Sequence, residues 1–299
     1  MSSSAAPLGN TGKKSPCFLM TIDMEDWFQL VGAGLDYQFK NGEGANDPWD
    51  SFSPRLHRTV PWILDELDRH QRKATFFVLG WAAHRHPELV REIDRRGHEV
   101  ASHSYHHKIV YRQSHEEFRT DLVRSKNVLE ELIGKPVIGF RASTASITDW
   151  AMEILAEEGF LYDSSLFPST YHDVYGKLDG METDELVSRH SSGILEVKFS
   201  CLPLLGKRLP WSGGGYFRLL PLWLFRAGIR RIRESGQPFM FFTHPWELDP
   251  ETPRLNTLKK QYAWRRYVGI SSARRNFMNL TAAYDTTRID SYLRAEGLL

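Results

Sequence analysis

Cysteine is scarce: Cys17 and Cys201 are the only two in 299 residues. They allow at most one bridge, which excludes a disulfide framework and predicts a reducing compartment. Charge of one sign is not in excess either. Lys+Arg 38 against Asp+Glu 37 leaves a net charge of +1, which excludes a bulk nucleic-acid binder. Long apolar runs are missing. The most apolar stretches, Pro238–Thr243 and Leu219–Phe225, fall far short of the roughly 18 residues of a membrane span. The opening segment, rich in Ser, Gly, Lys and Pro, has no apolar core of a signal peptide, so a soluble cytoplasmic protein is expected. With 41% hydrophobic and 25% charged residues, the chain has ordinary globular composition.

What is present is an alternation of short apolar runs with stretches of helical period. Cys17–Asp23, Ala74–Gly80, His98–His103, Val137–Arg141, Phe160–Asp163 and Phe239–Thr243 read as strands. Pro54–Gln71, Pro87–Arg96, Ser114–Ile133, Thr148–Glu158 and Leu222–Glu234 read as helices. Ser114 with Glu117 forms a capping-box signal. Such alternation implies βαβ units and a parallel sheet. Their number, and the lack of a Gly-x-Gly-x-x-Gly after the first strand, favour an α/β fold of the distorted (β/α) barrel type over a dinucleotide-binding open sheet. Residues 1–16 read as a disordered tail and 17–299 as one barrel with a C-terminal helical extension. Residues 170–217 read as an irregular or β-rich insertion.

Titratable residues collect at the C-terminal ends of the predicted strands: Asp23, Glu25 and Asp26; His103 and His107; Arg141; Asp163; His244. In a parallel barrel that edge is the active-site face. Asp23 and Glu25 share a side if the chain stays extended, whereas Asp26 faces the other way unless a turn begins there. His103 and His107 are four apart, so on a helical turn both imidazoles would face one ligand. Two histidines and one carboxylate leave a coordination position open, as in catalytic zinc sites. Arg141 needs a carboxylate, and Asp23 or Asp163 would serve. His244 has the right intrinsic pKa for a general acid. The segment Lys259–Tyr267, with Arg274 and Arg275, is basic and aromatic; it reads as an outer helix with a solvated face, the other reading being contact with an acidic polymer or a membrane surface.

Assembled, these residues make the chain resemble the polysaccharide deacetylase family, the carbohydrate esterases of the NodB-homology type, from about Phe18 to Asp249. The likeness is greatest to the branch of peptidoglycan-deacetylase-like proteins linked to exopolysaccharide biosynthesis. Its motifs stand here as Asp23-Met-Glu-Asp-Trp-Phe28, His103-Ser-Tyr-His-His107, Arg141-Ala-Ser-Thr-Ala, Asp163-Ser-Ser165 and Phe242-Thr-His244-Pro-Trp-Glu. The resemblance implies hydrolysis of an N-acetyl group on an amino-sugar polysaccharide or its precursor. It implies a divalent metal, zinc by preference, held by His103, His107 and one acid. Asp23 would be the base, Arg141 its orienting partner, Asp163 a support for Arg141 or His244, and His244 the acid. Trp27, Tyr216 and Trp246 are candidates for stacking on sugar rings. Two departures stand out: Met24 occupies the slot of the metal-binding acid, so Glu25 or Asp26 must supply it, and Ser143 stands where proline is common. The competing readings are a metal-independent ureide amidohydrolase of the same superfamily and a non-catalytic sugar-binding barrel.

Overall fold

The computed structural model describes residues 16–29, 48–168, 175–181, 185–204, 206–255, 258 and 260–299. The expected tail therefore lies, but for Pro16, outside the described residues, as does part of the 170–217 insertion.

Strand β1 (Phe18–Met24) is buried along its whole length, as expected of a parallel strand covered on both faces. It pairs in parallel with β2 (Thr75–Val78) on one side and with β10 (Phe239–Thr243) on the other. From β2 the sheet runs through β3 (Glu99–Ser102), β4 (Gly139–Phe140), β5 (Tyr162–Asp163) and β7 (Leu195–Val197), all parallel. It ends on β6 (Val187–Arg189), which is antiparallel to β7. A short β11 (Thr286–Thr287) adds to β1, and β8 (Cys201–Leu204) and β9 (Lys207–Pro210) form a separate hairpin.

Side-chain alternation splits the core in two. Phe18, Met20, Ile22, Phe76, Val78 and Phe241 pack outward, in one cluster with the helix residues Leu56, Val60, Ile63 and Leu122. Leu19, Phe77, Ala101, Tyr162, Leu195, Val197 and Met240 pack inside the curl of the sheet. The outer layer includes α1 (Leu56–Arg69), α2 (Gly80–Arg85), α3 (Pro87–Arg95), α4 (His115–Ile133), α5 (Asp149–Glu157), α6 (Gly215–Leu219), α7 (Leu222–Glu234), α8 (Lys260–Tyr267) and α9 (Ile270–Ala283). At the N-terminal end of the strands, Ile289 and Leu293 of α10 (Ile289–Ala295) join the inner cluster.

The curl does not close by strand pairing between β7 and β10. Single hydrogen bonds bridge the gap. The Met240 N–H donates to Ser200 Oγ at 2.9 Å, Phe242 N–H to the Ser212 carbonyl at 2.9 Å, and Gly214 N–H to the Phe242 carbonyl at 3.2 Å. Gly213 is required there: its φ is +144°, and a Cβ would lie 2.1 Å from the Phe242 carbonyl oxygen. The distorted barrel expected from the alternation is thus what forms. The strand β6 and the β8–β9 hairpin give the 170–217 stretch its β-rich character, but β7 within it is a parallel strand of the main sheet and not part of an insertion. Gly80 opens the short helix α2 instead of merely ending a strand; the reason is space, since a Cβ would meet the Tyr105 ring at 2.6 Å.

Candidate metal centre and active site

Inward parity carries Thr21 and Asp23 from β1, His103 from the end of β3, Arg141 from the end of β4 and His244 from the end of β10 to the same mouth. Arg141 spans the interior. Its Nη1 donates to Asp23 Oδ1 at 2.7 Å and to Thr21 Oγ1 at 2.9 Å. Nε and Nη2 hold the Ser164 carbonyl and hydroxyl, each at 2.8 Å. An arginine this buried needs every donor satisfied and a charge opposite; Asp23, not Asp163, is that charge.

Glu25, His103 and His107 converge, with one donor atom of each within 4.8 Å of the others. The four-residue spacing does not act through a helix. The segment is a turn in which Ser104 (φ +63°) and His107 (φ +55°) take the left-handed conformation, costly for residues with side chains. Asp121 on α4 holds it: the carboxylate accepts the Tyr105 N–H at 2.7 Å, the His106 N–H at 3.2 Å and His106 Nδ1 at 2.8 Å. His103 Nδ1 lies 2.8 Å from the Arg141 carbonyl oxygen. A carbonyl only accepts, so Nδ1 carries the proton and Nε2 keeps its lone pair. Burial pushes His103 down to about 4, keeping it neutral.

A divalent cation fits this group. Nε2 of His107 lies 2.6 Å from Glu25 Oε2, yet Oε2 has no partner of hydrogen-bond direction, and His107 Nδ1 is also buried without one. Two neutral-capable imidazoles and a carboxylate are the donor set of open zinc-type sites. Burial raises the Glu25 carboxyl, but the His107 and His244 charges outweigh it and hold the group at about 2. Of the two acids the sequence left open, Asp26 is turned away. Its Oδ1 accepts the Trp27 N–H at 2.8 Å, and its Oδ2 accepts the Arg55 N–H at 2.7 Å and the Leu56 N–H at 3.3 Å, at the start of α1.

His244 stands over the carboxylates. Its Nε2 lies 3.6 Å from Glu25 Oε1 and 3.9 Å from Asp23 Oδ2. Glu247 Oε2 takes both its backbone N–H at 3.0 Å and its Nδ1 at 2.9 Å, and Arg218 Nε donates to Glu247 Oε1 at 2.7 Å. Burial lowers the imidazole's pKa, but Glu25, Glu247 and Asp23 raise it to about 9. Burial likewise works against the Glu247 carboxylate, which Arg218 and His244 hold well below the usual range. Glu247 and Arg218 escaped the sequence reading, although Pro245 and Glu247 after His244 carry the spacing of a helix cap.

Among the described residues, Asp163 forms no hydrogen bond or ion pair with Arg141 or His244, the expected supporting contact. Alternation turns it to the other face of β5, where it accepts the Ser165 hydroxyl at 2.7 Å and lies opposite Glu196 in the register. Burial and the Asp163 charge push the Glu196 carboxyl well above its ordinary range. Trp27 packs edge-on against Phe28 and Phe52 and bonds the Ser53 carbonyl. It is a core residue, and like the exposed Tyr216 it is not among the residues lining the cavity at the mouth. Trp246 does line it, with its ring 5.5 Å from that of His244. The cavity, about 360 Å³, is walled on another side by Phe167, Tyr175, Phe199 and Phe242, aromatics the sequence did not single out.

Fold and site together define a (β/α) barrel with a buried carboxylate–histidine–histidine group at the strand ends. Residues 48–162 match the family described as Polysaccharide deacetylase, and residues 164–294 match one described as Domain of unknown function (DUF3473). Residues 48–162 thus carry the polysaccharide deacetylase match, and the chain as a whole is similar to members of that family. A peptidoglycan-N-acetylglucosamine deacetylase of Bacillus cereus is 31% identical over 102 residues, 34% of this chain and 37% of that protein. A peptidoglycan deacetylase of Helicobacter pylori is 27% identical over 153 residues, 49% of this chain and 52% of that protein. The chain thus spans about half or less of the length of these relatives. A Mycobacterium smegmatis crystal structure assigned to the polysaccharide deacetylases aligns over 99% of this chain and 96% of its own, with a TM-score of 0.62 at 23% identity, a likeness of fold.

Proposed function

We propose that the protein is a metal-dependent hydrolase that removes N-acetyl groups from an amino-sugar polysaccharide or its precursor. The observation that carries this reading is the meeting, within one cavity, of the Glu25–His103–His107 group with the Asp23 carboxylate and His244. Glu25, His103 and His107 would hold the cation, with Glu25 taking the part that Met24 cannot. A cation bound there supplies Lewis acidity toward an amide carbonyl and toward water.

The chain's own groups do the rest. Asp23, aimed by its hydrogen bond from Arg141, takes a proton from the attacking water. His244 faces the same space with Nε2, while Glu247 fixes its ring through Nδ1. It gives a proton to the amide nitrogen, which cannot leave as an anion. Trp246 and the facing aromatics Phe167, Tyr175 and Phe199 offer flat apolar surface to sugar rings and exclude water from the reacting atoms. The relatives named as peptidoglycan deacetylases support an N-acetylglucosamine-containing substrate.

The test is acetate release from N-acetylglucosamine oligomers by the full chain. Release should stop on chelation, return with a divalent metal, and fall at least about 100-fold in Asp23→Asn. Turnover indifferent to chelation and to Asp23→Asn would instead favour the metal-independent amidohydrolase. Sugar binding without turnover under any metal would favour the non-catalytic barrel.

A further inference from the structure

The cavity holds more positive charge than the proposed reaction uses. Four arginines line it, Arg141, Arg218, Arg265 and Arg266, against the carboxylates of Asp23, Glu25 and Glu247. Arg141 is paired with Asp23 and Arg218 with Glu247, each at 2.7 Å. Among the described residues, neither Arg265 nor Arg266 is in an ion pair. Arg266 is only 7% exposed, and its Nε is buried without a hydrogen-bond partner.

Of these two side chains, Arg266 is held in place, while Arg265 is exposed at the cavity edge. The guanidinium of Arg266 lies 4.1 Å above the Trp246 ring, and its Nη2 donates to the Trp27 carbonyl. Arg218 anchors the end of α8 from below, donating to the carbonyls of Arg266 and Val268 at 2.7 Å each. Gly269 then turns the chain with φ +71°, where a Cβ would strike the Arg218 carbonyl at 2.0 Å. A buried guanidinium with an open donor is costly unless an anion completes it. Its planar fork, stacked on an indole, suits a carboxylate or phosphate.

We infer that Arg265 and Arg266 form an anion subsite beside the reacting centre, so that the substrate is an N-acetylated saccharide with an acidic substituent on or next to the acetamido sugar. This assigns the basic, aromatic segment Lys259–Tyr267 to substrate selection. The inference rests on the deacetylase reading for its sugar, but the anion site itself is testable without turnover.

Calorimetric titration of the metal-stripped full chain would use three probes: N-acetylmuramic acid, N-acetylglucosamine 1-phosphate and neutral N-acetylglucosamine. At least one acidic probe should bind roughly ten-fold or more tighter than the neutral sugar, the carboxylate or phosphate arm identifying the source of charge. Arg265→Gln and, as a milder change that keeps the charge, Arg266→Lys should each shrink that advantage. Lys260→Gln, at the exposed far end of the same helix, should leave it intact and so controls for helix integrity. Equal affinity for all three probes, or an acidic advantage that survives both arginine variants, overturns the subsite. Acidic probes that bind as expected while no acetate is ever released remove the deacetylase reading and keep the subsite.

Discussion

At the scale of single residues, the decisive assignment is between two adjacent acids. Alternation along an extended chain puts Asp23 and Glu25 on the inner side and Asp26 on the outer, and the side chains are placed accordingly. Glu25 lies with the histidines, while Asp26 caps the N–H groups of Arg55 and Leu56. The two should therefore fail differently. Glu25→Gln should lower bound divalent metal to well below one per chain, read by elemental analysis after dialysis, with little change in unfolding midpoint. Asp26→Ala should keep the metal and lose stability, because buried N–H groups at 27, 55 and 56 lose their acceptor, about 1–3 kcal/mol. Metal retained by the first, or lost by the second at full stability, would reverse the assignment. The same parity turns Asp163 out of the face Arg141 enters once Tyr162 is seen to point inward. Strand ends were legible; which side each residue faces demanded a register. Trp27 misled for a simpler reason: an exposed-looking motif tryptophan fills core beside Phe28 and Phe52 as readily as it binds sugar.

At the scale of elements, α4 was the most legible, because its ends are written in the sequence. Ser114 and Glu117 exchange the two bonds of a capping box, and Gly134 closes the helix with φ +67°. The two-residue strands β4 and β5 were over-extended in the reading, since apolar runs continue past the few pairs that the ladder uses. The His103–His107 turn was the least legible. Its spacing suggested a helix, yet it is bent through left-handed residues that only tertiary support can hold. That support is Asp121, an acid on the buried face of α4 beside Phe118 and Leu122, and such a charge on an apolar stripe was the available signal. Asp121→Asn keeps shape but loses one acceptor oxygen and the negative charge facing His106. It should weaken metal binding about 10- to 100-fold, measured by competition with a chelator of known affinity, while the α4 helical signal in circular dichroism stays intact. Unchanged metal affinity would show that the turn holds itself.

At the scale of the molecule, the sheet joins what the family matches divide. The first and last parts of the chain meet at β1, which pairs with β2 on one side and β10 on the other. The proposed base and cation ligands come from both sides of residue 48, and the proposed acid and anion subsite come from 164–294. The strand ends opposite the site are tied by a different polar knot. Glu99 of β3 accepts the Thr75 hydroxyl at 2.6 Å, the Tyr162 hydroxyl at 2.9 Å and the Asp290 N–H at 3.2 Å, fastening α10 beneath the barrel. Burial, with the Asp290 charge adding to it, raises Glu99 from 4.5 to about 7; Asp290 is itself paired with Arg288. The folded state therefore binds more protons than the unfolded chain between those two values. Stability from this group is complete below about pH 4.5, declines as pH rises, and is gone above about 7, a span of order 3 kcal/mol. Glu99→Gln keeps a neutral acceptor there and abolishes the titration. Urea unfolding of wild type and variant from pH 5 to 8, numbers of order set by that window, should show the wild-type stability falling toward the alkaline side relative to the variant. Parallel curves for the two proteins would mean that Glu99 stays ionised in the fold, and that Thr75, Tyr162 and the α10 backbone solvate its charge well enough to offset burial.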